Sequence, residues 1–202
     1  MLLNIIHPYT YKFNGDTLDI GPCPEFRERD EKVRNFIRKS FDVGANVILH
    51  NYSEGSCIGD GLRDAAFLTD PLFDFLFDER IKEVKTTIHG LPRFDKKPKG
   101  FPRREWEIFS KIYISHLEFS KLIGREKNVF FIGGVLENCV ANIMNYFYEN
   151  HIRNGERLFY ISELCVSVDP KKWEEIDAEM KSKNIIKSLS YEWVMDSIKT
   201  FK

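Results

Sequence analysis

Residues 128–147 read NVFFIGGVLENCVANIMNYF, and the change of pattern inside this stretch decides the fold. Asn128–Ile132 is an almost continuous apolar run, the signature of a strand buried on both faces. Gly133 and Gly134 end it. From Cys139 the apolar residues Val140, Ile143, Met144 and Phe147 fall at i, i+3, i+4 and i+7, which is one face of a helix. A buried strand, two glycines and an amphipathic helix make half of a βαβ unit.

The same alternation continues outward. Toward the C-terminus, Arg157–Ile161 is a strand. Asp169-Pro170 then supplies an N-cap and a first-turn proline for a helix facing inward through Trp173, Ile176 and Met180. Ile185–Ile186 reads as a last strand and Tyr191–Ile198 as a last helix. Toward the N-terminus, Ser115 caps a helix running to Ile123, and Pro71 can start one through Phe77. Residues 92–104 hold prolines and many cations and read as loop, while residues 104–115 carry no decisive pattern. Asn46–His50 is a strand, followed by a glycine-containing loop over residues 51–61. Val33, Phe36, Ile37 and Phe41 place a helix over 30–41, and Leu2–Ile6 is a first buried strand. The expectation is a three-layer α/β/α arrangement around a mainly parallel sheet, as one domain over residues 1–202. In such sheets ligands bind beyond the carboxyl ends of strands, which directs attention to the residues after Ile6, His50 and Ile132.

Bulk properties narrow the function. The 202 residues carry 30 Lys and Arg against 31 Asp and Glu, a formal net charge of −1. Such a balance gives no general attraction to nucleic acid or to anionic membrane, so neither partner is expected. No run approaches the eighteen apolar residues of a membrane span, and residues 1–13 read as a buried strand rather than a secretory signal. Cys23, Cys57, Cys139 and Cys165 contain no C-x-x-C pair, which argues against a zinc site or a disulfide framework; a cytoplasmic location is the expectation.

Cys139 carries the chemistry. A thiol at a helix N-terminus lies in the positive end of the helix dipole, which favours the thiolate. The amides around Val135 and Cys139 point toward one pocket as oxyanion donors in this reading. The competing reading is a small buried hydrophobe beneath a helix.

Gly133-Gly134-Val135-Leu136-Glu137-Asn138-Cys139-Val140 resembles the nucleophile loop of the isochorismatase-like cysteine hydrolases. Lys111-Ile112-Tyr113-Ile114-Ser115 is similar to that family's lysine-to-serine segment, and residues 157–167 and 179–192 are similar to its later strands and helices. The resemblance covers roughly the last hundred residues. It implies an isochorismatase-like fold and hydrolysis of an amide or related C–N bond of a small molecule, with no cofactor. It further implies Cys139 as nucleophile, Lys111 as its electrostatic partner, a cis Gly134–Val135 peptide and at least a dimer.

The pattern breaks at the first strand. The family's aspartate position holds His7, or Pro8 if the register slips by one, and neither is a carboxylate. One consequence is a Cys139–His7 pair with imidazole as substitute base; the other is a catalytically inactive member serving as a ligand-binding or oligomeric scaffold. Phe13, Tyr52, Trp106 and Gly134 are candidate pocket residues. His50 has no second histidine nearby, so no metal site is expected. Residues 93–106 interleave six cations with Phe94, Phe101 and Trp106, and read as a solvated loop or a lid.

Overall fold

The computed structural model describes residues 1–8, 11–14, 17–20, 24–52, 71–87, 89–124, 126–151, 156–167, 169–183 and 186–201. Its strands are β1 (Leu2–Ile6), β2 (Tyr11–Asn14), β3 (Thr17–Ile20), β4 (Asn46–Tyr52), β5 (Ile81–Thr86), β6 (Asn128–Val135), β7 (Arg157–Val166) and β8 (Ile186–Ser188). The α-helices are α1 (Arg27–Asp42), α2 (Arg103–Ile112), α3 (His116–Ile123), α4 (Ala141–Asn150), α5 (Pro170–Ser182) and α6 (Tyr191–Ser197).

Six strands form one sheet in the order β5-β4-β1-β6-β7-β8, and every neighbouring pair in it is parallel. The expected mainly parallel sheet is present. β2 and β3 form a separate antiparallel pair. Strand order reverses at β1, whose carboxyl end lies between those of β4 and β6, and this is the switch point where a doubly wound sheet leaves a crevice.

Side-chain parity separates two apolar layers. Leu3, Ile5, Phe130, Ile132, Phe159 and Ile161 face α1, α6 and the C-terminal turn through Val33, Phe36, Val194 and Phe201. Leu2, Ile6, Val129, Phe131, Leu158 and Tyr160 face the opposite layer, built from Phe119 of α3, Ile143, Met144 and Phe147 of α4, and Met180 of α5. A period of two across a sheet covered on both faces explains why these strands read as continuous apolar runs. Each fully buried phenylalanine contributes about 2–3 kcal/mol of transfer free energy.

The structure adds and shifts elements. β5 and β3 occupy stretches where no strand was expected, β2 is separate from β1 and outside the main sheet, and α2 fills the undecided segment before Ser115. Backbone coiling begins at Leu136, three residues before Cys139, as one wide π-type turn (Leu136–Val140) leading into α4. β7 runs on to Val166, five residues beyond the expected end. Among the described residues no helix is long and apolar enough to cross a membrane.

Candidate functional site

The carboxyl ends of β1 and β6 meet because of two glycines. Gly133 has φ +115°, and a Cβ there would lie 2.2 Å from the Ile6 carbonyl oxygen; only glycine fits this conformation at this distance. Gly134 packs the same way on the next residue, with a Cβ position 3.0 Å from the His7 carbonyl. β6 therefore closes directly over Ile6 and His7. His7 itself has φ +39°, a left-handed conformation uncommon for a residue with a side chain. Its amide still donates to the His50 carbonyl at 3.1 Å, extending the β1–β4 ladder by one residue.

Three side chains gather around this junction. His7 is 2% exposed, and its Nε2 lies 3.5 Å from the Thr86 hydroxyl at the end of β5, a long contact by hydrogen-bond standards. His50, fully buried on β4, places Nε2 3.1 Å from Asn4 Oδ1 on the neighbouring strand and its ring edge-on to Phe119. Cys139 is 6% exposed in the turn before α4. The chain turns back on itself between Thr87 and the Gly90-Leu91 pair, against this group. Thr87 and Gly90 bond to Leu91 and Thr87 through the backbone, and Gly90 packs so closely that a Cβ would sit 3.2 Å from the Cys139 carbonyl. His89 Nδ1 lies 3.3 Å from Asn138 Oδ1, tying this turn to the one that carries Cys139.

Burial dominates the electrostatics. Desolvation pushes the Cys139 thiol up to about 11, against a smaller opposing pull from its own backbone amide. Burial drives His7 down to about 3. His50 also falls to about 3, through burial first and then through His7, with the Gly90 backbone opposing. The helix-dipole argument for Cys139 is thus outweighed: the residue's own amide stabilises a thiolate less than loss of water destabilises it. Glu137, next but one to the thiol, turns away and accepts hydrogen bonds from the Ser167 hydroxyl at 2.9 Å and from the Asp169 amide. It fastens the β7–α5 connection instead of serving the cysteine.

Other expected site residues lie elsewhere. Lys111 is exposed in the last turn of α2, and burial and the thiol's own amide, not a lysine, set the state of Cys139. No peptide among the described residues is cis, so the Gly134–Val135 bond is trans, contrary to the expectation from resemblance. Trp106 belongs to an aromatic group on α2 with Phe101 and Phe109. The side chains of Phe13 and Tyr52 lie outside the described residues, as does most of the loop after β4. Among the described residues no three His, Cys, Asp or Glu side chains form a metal-binding group.

Thr86 and Gly90 were missed from sequence. The only signal for Thr86 was the alternation in Ile81–Thr86 (IKEVKT), masked by three charges on an edge strand.

No protein-family model matches the chain, and no curated protein sequence matches it. Solved structures do match it in shape. The MAR1 ribonuclease from Caenorhabditis elegans aligns with a TM-score of 0.55 and 14% identity, covering 96% of this chain and 78% of that one. An isochorismatase-like hydrolase from Alkaliphilus metalliredigens aligns with a TM-score of 0.52 and 12% identity, covering 98% of each chain. Nicotinamidase PncA from Bacillus subtilis gives 0.55 and 12%, covering 93% of this chain and 98% of its own. Identities this low speak for architecture alone, and they agree with the resemblance seen around Cys139: the chain has the isochorismatase-like hydrolase fold.

Proposed function

We propose that this chain is a non-hydrolytic form of the isochorismatase-like fold, a binding or assembly scaffold whose Cys139 stays a protonated thiol at neutral pH. The observation that carries this reading is the burial of both members of the Cys139–His7 pair. A thiol at about 11 and an imidazole at about 3 are both neutral at pH 7. Moving the proton from one to the other then costs on the order of 11 kcal/mol, about eight powers of ten in ion-pair population. Gly90 packs against the Cys139 carbonyl and Cβ, and the cysteine is left only 6% exposed to water, the natural source of thiolate stabilisation. The resemblance to the isochorismatase-like hydrolases adds the expectation of at least a dimer.

The second reading is hydrolysis of an amide or related C–N bond of a small molecule. Cys139 would attack, His7 would take its proton, Lys111 would supply positive charge, and the Val135 and Cys139 amides would hold the oxyanion. It is favoured by the place of Cys139, beyond β6 at the start of α4. Nicotinamidase and N-carbamoylsarcosine amidase among the structures of similar shape also favour it.

Iodoacetamide labelling of Cys139 as a function of pH, with a panel of small amides, separates the two. The scaffold reading expects slow labelling at pH 7 that rises toward pH 11, and no amide turnover. Rapid labelling at pH 7, together with turnover that Cys139→Ala abolishes, would establish the hydrolase.

A further inference from the structure

Residues 93–104 (RFDKKPKGFPRR) hold six cations and one carboxylate within a chain of net charge −1. The other 190 residues therefore carry six more acids than bases, so net positive charge is concentrated in this one stretch of sequence. The bulk charge conceals it.

The segment is built, not loose. Arg93 pairs in parallel with Ser115, its amide donates to the Ile114 carbonyl, and its own carbonyl accepts from the His116 amide. Its Nε donates to the Tyr113 carbonyl at 2.8 Å. Asp95, the one acid, is occupied: its Oδ1 accepts from the Leu117 amide at 2.8 Å at the start of α3. Lys97 is folded back on the Phe101 carbonyl. Lys96, Lys99 and Arg104 are exposed, and among the described residues none of the three has an ion pair.

An aromatic ladder runs out to this cationic rim. The Tyr146 ring packs on His116 at 5.0 Å. His116 in turn stacks nearly parallel to Phe94, with centroids 6.1 Å apart and planes at 21°. Phe94, the outermost rung, is 62% exposed. A ring braced from behind, open in front and carried on the same short segment as exposed cations matches the chemistry of an unpaired base beside its phosphates. α2 adds to the surface: none of its residues is buried, and Ile108 is 55% exposed. The Arg93 guanidinium also lies 5.6 Å over Trp106.

We infer that the lobe formed by residues 91–117 binds single-stranded nucleic acid, with Phe94 as a stacking platform and Lys96, Lys99 and Arg104 as phosphate contacts. This site is independent of the state of Cys139.

Fluorescence anisotropy with labelled twelve-residue oligo(U) and oligo(dT) at 50 mM salt tests it. Binding is expected, weakening as salt rises with a log–log slope of about −2 for three phosphate contacts on a single strand. Phe94→Ala should weaken it about tenfold with that slope unchanged, whereas K96E/K99E/R104E should abolish it. The ratio of oligo(U) to oligo(dT) affinity tells RNA from DNA as the preferred strand. All four positions are exposed, and unchanged circular dichroism confirms that the variants fold. The inference is overturned by absence of binding at 50 mM salt. It is equally overturned by binding indifferent to Phe94→Ala, or by poly-glutamate competing as well as the oligonucleotide, which would mark the lobe as a dock for an acidic protein.

Discussion

At the level of single residues, His7 and Gly133 share one constraint. β6 can close on β1 only where neither backbone carries an intervening side chain, so Gly133 lies against the Ile6 carbonyl while His7 bends away with φ +39°. The bend tucks the imidazole under the sheet edge, where it must be neutral. A histidine held near 3 in the folded state binds no proton in the range where the unfolded chain does. Stability should therefore be complete above the unfolded value of 6.5 and decline as pH falls toward 3. His50 behaves in the same sense. Urea melts at pH 7.5 and pH 5 should differ by about 2 kcal/mol for each histidine; equal midpoints would mean that the rings are hydrated in the folded protein. At this scale much of the site was legible. His7 stands just past the end of β1 and Cys139 in the turn between β6 and α4, and periodicity alone locates both junctions. The packing of Gly90 was not legible, because a glycine in a turn looks the same whether it meets solvent or the backbone of another turn.

At the level of elements, α3 owes its start to a reciprocal cap. The Ser115 hydroxyl accepts from the Glu118 amide at 3.3 Å, and Glu118 Oε2 accepts from both the Ser115 amide and hydroxyl, at 3.0 and 2.6 Å. These bonds hold the Glu118 carboxyl below its ordinary value, with smaller help from Arg93 and Lys121. Since α3 spans only eight residues, the cap is a large part of its local stability. Ser115→Ala should cost about 1–2 kcal/mol in a chemical melt, and Ser115→Thr should recover most of it. This cap could be read directly from Ser115 and Glu118, three apart. β5 could not. Lys82, Glu83 and Lys85 break its apolar pattern because it is the edge of the sheet, with one side open to water. α2 was equally hidden: a helix that buries no residue imposes no demand on its apolar spacing beyond its own aromatic cluster.

At the level of the whole molecule, the last turn closes the sheet from below. Phe201, 4% exposed, meets Phe130 and Phe159 edge-on at 5.0 and 5.2 Å. Its carbonyl accepts from Asn128 Nδ2 at 3.0 Å, at the first residue of β6. Phe201→Ala should lower stability by about 3–4 kcal/mol in a denaturant melt, a loss that Phe201→Leu largely avoids. The sequence pattern reached the helix 191–198 but not this closing residue, which lies after the periodic part ends.

The placing of β1 has a consequence for biosynthesis. β1 is an inner strand made before both of its neighbours, which are contributed by residues 46–52 and 128–135. At about 5–20 residues per second, a ribosome needs roughly 6–25 s to travel from the end of β1 to the start of β6. Throughout that interval Leu2–Ile6 has one edge without its neighbour and apolar faces without their final cover. The nascent chain is therefore most prone to aggregation before residue 128 emerges, and chaperone dependence should be concentrated there.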